Sequence, residues 1–325
     1  MPVGQTLPMA VKHVGEDAPA YGVVEQVSPM VRRVMAQNPS VFTYHGTGTF
    51  IVGPPSGGSV AIVDPGPDDD EHVAALLAAV KGQTVSHLLI THTHPDHSPA
   101  AAAVKKATGA PTWGYGPHPQ AAIDAHQKRV AQAIADGEKP EASDGEGAGD
   151  QDFVPDHLVT DGQIIAGPGY TFEALHTPGH ISNHLCFAFQ EEATLFSGDH
   201  VMGWSTTVIP APDGDLNDYL ANLRRLLTRD ETLYRPTHGP AITEPVSYVA
   251  DLIAHREARS EQILAGLTDG PRTIMSLVTE MYAHVDEKLH KPAAASVYAH
   301  LLALKTTNQA TASDPTDPEA PWSLT

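Results

Sequence analysis

A single cysteine, Cys186, stands in the 325 residues of this chain. That scarcity excludes a disulfide framework and any zinc site built from cysteines. Positive charge is also in short supply: 19 Lys and Arg face 39 Asp and Glu, for a formal net charge of −20. Such a field repels polyanions at long range, which argues against tight non-specific nucleic-acid binding and against double-stranded DNA as a partner. No apolar run approaches the length of a membrane span, so no membrane role is expected. The stretch Met1 to Pro19 has no apolar centre and carries Glu16 and Asp17. It does not read as a signal peptide, and a cytoplasmic protein is the default expectation.

What the chain has is histidine, and its placement is not uniform. The run Leu88-Leu89-Ile90 reads as a buried strand, and it stops at Thr91-His92-Thr93-His94-Pro95-Asp96-His97. His92 and His94 are two apart, so on an extended backbone both imidazoles project to one side and can grip one ion. Pro95 ends the strand and lets Asp96 and His97 turn toward a second position. A lone histidine is more often structural. Four ligand-type groups pointing two ways at a strand exit indicate two metals.

Three further strand ends carry the same signal downstream. Leu175-His176-Thr177-Pro178-Gly179-His180 sets His180 just past a strand and a tight turn. Leu195-Phe196-Ser197-Gly198-Asp199 ends an apolar strand in an acid, and Leu233-Tyr234-Arg235-Pro236-Thr237-His238 ends another in a histidine. His118, His126, His157, His200, His284 and His290 lack that context and read as structural or solvated.

In chain order, residues 1–20 look like a loose leader, and residues 21–63 are strand-like with turns at Asn38-Pro39 and Gly46-Thr47-Gly48. Strands at 59–64 and 85–90 alternate with helices at 71–81 and 100–107, which argues for an α/β layer protein. A helix over 121–135 precedes an acidic stretch, 136–152, expected to be a mobile surface loop. Strands resume from Phe153, and a helix runs from about 245 to 267. Short helical patterns at 273–283 and 292–304 suggest a compact helix-turn-helix or winged-helix unit. The expected organisation is residues 1–250 as the metal-dependent domain, 251–310 as a winged-helix-like domain and 311–325 as a tail.

His92-x-His94-x-Asp96-His97, followed by His180, Asp199 and His238, resembles the metallo-β-lactamase superfamily. The flanking text Val63-Asp64-Pro65-Gly66, Thr177-Pro178-Gly179-His180 and Ser197-Gly198-Asp199 carries the same likeness, over roughly residues 21–245. The resemblance implies an αββα sandwich with two zinc ions at one edge, manganese or iron being alternatives. By position, His92, His94 and His180 would hold one ion, Asp96, His97 and His238 the other, and Asp199 would bridge them. Within the superfamily the chain is similar to the β-lactamase-like protein 2 group, which adds a C-terminal winged-helix-like domain. That group usually reads Gly-Thr-Asn-Thr-Tyr in its early strand, and here Gly48 replaces the Asn.

Two ions about 3.5–4 Å apart can share a water, lower its pKa and present a bridging hydroxide to an electrophile. Asp96 can also take a proton from that water. Asp64 and His184 are candidate hydrogen-bond partners for ligand imidazole N–H groups. Ser205, Thr206 and Thr207 are candidate substrate contacts, and Trp204 offers either a wall or core packing.

The expected reaction is metal-dependent hydrolysis of one of two kinds. Likeness to the β-lactamase-like protein 2 group favours a phosphodiesterase or endoribonuclease acting on single-stranded RNA. The charge count opposes it, since residues 251–325 hold six Lys and Arg against ten Asp and Glu. The alternative is hydrolysis of a small acyl substrate: a thioester, a lactone or, weakly, a lactam. A homodimer is one assembly left open.

Overall fold

The computed structural model describes residues 11–135, 149–283, 286, 290–317 and 319–325. The mobile loop expected over 136–152 lies outside the described residues except for its last four positions, and His284 lies outside them as well.

Two sheets stack face to face. The first has seven strands in the order β1 to β7: Val24–Ser28, Val31–Met35, Gly48–Val52, Ser59–Val63, Thr84–Leu89, Thr112–Gly114 and His157–Leu158. β1 to β4 run antiparallel, and β4 to β7 run parallel. Helix α1 (Asp70–Ala79) is the crossover from β4 to β5, and α2 (Ala100–Thr108) from β5 to β6, as parallel pairing requires. α3 (Gln120–Ala135) follows β6. The second sheet holds β8 (Ile164–Gly167), β9 (Tyr170–His176), β10 (Leu185–Phe189), β11 (Thr194–Gly198) and β12 (Leu233–Pro236). Its one parallel pair is β11 with β12.

Strand periodicity divides the core. In β3, Phe50 and Val52 face the second sheet, where Phe172, Phe187 and Phe196 meet them, while Ile51 faces outward to Leu76 of α1 and Leu88. The outer face of the second sheet, with Leu175, Cys186 and Leu195, is covered by α4 (Leu216–Leu226) and α5 (Pro245–Gly266). The result is the αββα sandwich expected from the sequence.

The C-terminal unit consists of α6 (Ile274–Met281), α7 (His290–Thr306) and a hairpin of β13 (Ala310–Ala312) with β14 (Trp322–Leu324). Three expectations need correction. The presumed tail from 311 is the wing of this unit, because Trp322 is fully buried beside Leu277 and Leu301 and pairs by backbone with Arg272. Helix α5 also runs unbroken through the expected boundary at 250. The presumed leader is docked from residue 11 onward. Val11 packs into the outer core, the Val14 N–H donates to the Gly203 carbonyl at 2.7 Å, and Glu16 pairs with Arg33 at 3.3 Å.

Candidate metal centre

Every candidate ligand sits just past the end of a strand on one edge of the sandwich. β5 delivers His92, His94, Asp96 and His97; β11 delivers Asp199; β12 delivers His238; and the turn between β9 and β10 delivers His180. β4 and β5 are parallel, as are β11 and β12, so the C-terminal ends within each pair point the same way. Gly198, at φ +52, makes the bend before Asp199, and a Cβ there would lie 2.5 Å from His184 Nε2.

The seven residues gather into two adjoining groups. In the first, His92 Nε2 and His180 Nε2 lie 2.9 and 3.0 Å from His94 Nδ1. In the second, His238 Nε2 is 3.0 Å from Asp96 Oδ2 and 3.3 Å from His97 Nε2. Asp199 stands between them: its Oδ1 is 3.5 and 3.6 Å from the Nε2 atoms of His238 and His97, and its Oδ2 is 3.8 Å from that of His180. All are buried except Asp96, which is partly open.

Several outward ring nitrogens are held by groups that can only accept. His97 Nδ1 donates to Asp64 Oδ2 at 2.8 Å, His180 Nδ1 to the Val208 carbonyl at 2.6 Å, and His238 Nδ1 to the Gly46 carbonyl at 3.1 Å. Each inward Nε2 is then a free lone pair when the ring is neutral, which is the form a cation needs. Asp199 Oδ1 is buried with no hydrogen-bond donor. Imidazole and carboxylate donors suit zinc, manganese or iron, and the residues fit a pair of such ions.

Charge in the cluster points the same way. Burial opposes ionisation of Asp96 and Asp199, yet neighbouring imidazoles outweigh it and hold both carboxyls below their usual range: His97 first for Asp96, His238 first for Asp199. Burial and the surrounding histidines push His92 well below its ordinary value and hold it neutral. Burial opposes protonation of His97 too, but Asp96, Asp199 and Asp64 raise it well above 6.5. The carboxylates demand positive charge at this spot, which a metal ion could supply in place of protons.

Asp64 is the hub behind the cluster. It is fully buried at φ +48 and accepts from the Thr91 N–H at 2.8 Å, the Thr91 hydroxyl at 2.7 Å and the Thr237 hydroxyl at 2.9 Å, besides His97. Where the Asn of the related group is replaced, the Gly48 N–H donates to the Thr237 carbonyl at 2.8 Å, tying β3 to the exit of β12.

His184 serves differently from the expectation. Its Nε2 accepts the backbone N–H of Asp199 at 3.1 Å, not a ligand imidazole, and its Nδ1 meets the Thr177 hydroxyl at 2.9 Å. Since Nε2 accepts, Nδ1 carries the proton, and the Thr177 hydroxyl is free to donate to Cys186 Sγ at 3.3 Å. Thr207 is likewise turned inward. Its hydroxyl donates to the carbonyls of Asp199 and His200 at 2.8 and 3.1 Å, so it shapes the Asp199 loop. Ser205 and Thr206 are half-buried, and the Ser205 hydroxyl donates to the Thr206 carbonyl at 3.3 Å. Trp204 stacks on Tyr44 with ring centres 4.9 Å apart, beside Gly239.

Sequence reasoning missed two neighbours. His118 is buried with Nδ1 2.8 Å from the Thr93 hydroxyl, to which Asn183 also donates at 2.8 Å, so both buttress the loop between His92 and His94. Neither has a local pattern that could have revealed it. Among the described residues, no helix is long and apolar enough to cross a membrane.

The metallo-beta-lactamase superfamily model matches residues 44–238, and that of the beta-lactamase associated winged helix domain matches 273–316. An atrochrysone carboxyl ACP thioesterase from Claviceps purpurea is 30% identical over 280 residues, covering 84% of this chain and 78% of its own length. A beta-lactamase-like protein 2 homolog from Caenorhabditis elegans is 30% identical over 264 residues, covering 80% of this chain and 79% of its own. The fold is shared with a beta-lactamase domain protein from Burkholderia ambifaria, at TM-score 0.75 and 21% identity over 95% of this chain and 96% of that one. On these grounds the chain belongs to the metallo-beta-lactamase superfamily, as a hydrolase carrying the associated winged helix domain.

Proposed function

We propose that this hydrolase cleaves acyl substrates, a thioester foremost, at a centre of two metal ions. In this reading His92, His94 and His180 would hold one ion, Asp96, His97 and His238 would hold the other, and Asp199, which stands between the two groups, would serve both. Zinc leads as the metal. When bound, such a pair polarises a carbonyl oxygen and lowers the pKa of a water toward neutrality.

The chain's own groups supply the rest. Asp96 has the one partly open carboxylate of the cluster; the imidazoles that hold it ionised also make it a weak base, so its part is to orient the attacking water as a hydrogen-bond acceptor. Asp64 and the carbonyls of Val208 and Gly46 fix the imidazole orientations. Cys186 is no nucleophile, because burial pushes its thiol up to about 12.

The observation that carries the choice of substrate is where the positive charge goes in the C-terminal unit and the helix leading to it. Arg272 is paired with Glu280 at 2.6 Å, Arg259 lies over the Tyr282 ring, and Arg256 is buried. That leaves little to track a phosphate backbone against a net charge of −20. The printed name of the Claviceps relative supports the acyl reading.

The test uses metal-replete full-length protein against a series of acyl thioesters, following thiol release, with a single-stranded RNA oligonucleotide and a phosphodiester ester in parallel. Thioester turnover that is lost to chelator and restored by zinc is expected. RNA cleavage with no thioester turnover would overturn the reading and establish the ribonuclease alternative.

A further inference from the structure

Arg256 is only 5% exposed, yet no carboxylate pairs with it among the described residues. Tyr219, Tyr282 and Arg259 act on it, it acts in turn on His255 and His300, and its neighbour Glu257 turns outward to Arg224 at 2.6 Å. One guanidinium nitrogen donates to the Thr207 carbonyl, and the group lies over the Tyr219 ring, 5.6 Å from its centre. Its Nε is buried with no acceptor. A buried, unpaired cation in so acidic a protein is costly unless something compensates it.

Beside Arg256 lies a cavity of about 110 Å³ between the 206–209 segment and helix α7. At roughly 30 Å³ per water, it has room for a few waters or one small ion. His300 lines it, fully buried, with Nε2 lacking a partner and Nδ1 2.8 Å from the Ser260 hydroxyl. With that hydroxyl donating to Nδ1, Nε2 carries the proton and is a donor. Burial, and then Arg256, push His300 well below its ordinary value and keep the ring neutral. Ser296, Thr206 and Thr207 also line it, and Val208, Ile209, Leu216 and Ala299 supply apolar wall.

We infer that this cavity is a binding site for a small oxyanion, a carboxylate or phosphate group, held by the guanidinium of Arg256 and Nε2 of His300. The planar fork of arginine matches either group, and the apolar wall accommodates the carbon of a short carboxylate. The site bears on the metal centre through its own lining. Thr207 donates to the Asp199 carbonyl at 2.8 Å, and Val208 accepts from His180 at 2.6 Å. An anion drawn onto Arg256 therefore acts on the segment that orients two candidate metal ligands. The inference does not depend on the thioester reading.

The test titrates full-length protein with inorganic phosphate and, separately, acetate at constant ionic strength, reading melting temperature and calorimetric heat. Saturable stabilisation is expected, with affinity falling about tenfold or more in Arg256→Gln. Should that variant fail to fold, Ser296→Phe puts a bulky ring on the cavity lining while leaving Arg256 in place, and it is expected to abolish the saturable response. Absence of saturation in the parent protein, or an unchanged response in Ser296→Phe, overturns the inference. Turnover identifies the source of the anion. Phosphate competing only with a thioester that carries a free carboxylate assigns the site to the substrate. Phosphate altering turnover of charged and neutral thioesters alike assigns it to a free effector. Either outcome counts for the site only where Ser296→Phe removes it, because phosphate held by the metal pair would persist in that variant, and the binding data stand even if no thioester is cleaved.

Discussion

Asp64→Asn is the most telling single perturbation of the metal centre, since it exchanges one oxygen for a nitrogen and leaves the shape intact. Asp64 Oδ1 accepts the Thr91 N–H, and the amide oxygen of Asn would keep that bond. The amide nitrogen then takes the place of Oδ2, which now faces three donors: the hydroxyls of Thr91 and Thr237 and Nδ1 of His97. Both hydroxyls can rotate and accept. The imidazole cannot, unless its proton moves from Nδ1 to Nε2, and that removes the lone pair aimed at the second ion. The lost charge-assisted bond is worth roughly 1.5–3 kcal/mol, which agrees with the 10–100-fold loss of metal affinity typical of such outer partners. The assay is competition with a chelator of known affinity, resolving the two ions, with circular dichroism to confirm the fold. Affinity for the ion at Asp96, His97 and His238 is expected to drop by about tenfold or more while the His92–His94–His180 ion changes little. Both ions binding within twofold of the parent would refute the assignment of Asp64 as the orienting group.

Three further outcomes are expected. Elemental analysis of metal-saturated protein gives two ions per chain, because two adjoining donor groups share Asp199, and a reproducible value of one would refute the paired reading. Trp322→Ala empties the centre of the wing-side core and costs about 3–5 kcal/mol, read as a lowered melting temperature; an unchanged melt would mean that the hairpin does not hold this unit. Asp156 is held at about 2, against an ordinary 3.8, first by the hydrogen bond from Lys105 and then by the Thr112 N–H. A depressed carboxyl stabilises the fold above its unfolded value, and the contribution disappears as pH falls through the folded one. Asp156→Asn should therefore flatten the stability profile between about pH 4 and pH 2 and leave its neutral limb unchanged in slope.

The convergence of candidate ligands was legible because each announces itself locally, as an apolar strand ending abruptly in a histidine or an acid. The layer order followed from alternating strands and helices. What stayed hidden depends on contacts distant in sequence. Between β13 and β14 the text is polar and rich in proline, and nothing local shows that Trp322 folds back onto Leu277. Val11 belongs to no periodic apolar pattern, yet it joins the outer core that holds Leu175 and Ile242. Thr207 resembled a substrate contact by neighbourhood, whereas its hydroxyl turns toward the Asp199 backbone. His184 was read as a partner for an imidazole, but the bend at Gly198 brings the Asp199 N–H to it first.

Helix α5 has 22 residues, about 33 Å at 1.5 Å each. It begins against the second sheet with Tyr248, Val249 and Leu252, and it ends in the winged unit with Ile263. Ala299 and Ala303 of α7 also reach back into the catalytic layer's outer core. The two units therefore share one girder instead of being joined by a tether. For recombination, a crossover anywhere along that girder would strand an apolar face on each product. The pair should therefore melt as a single cooperative body, and an engineer who wants to exchange the winged unit must carry the girder with it.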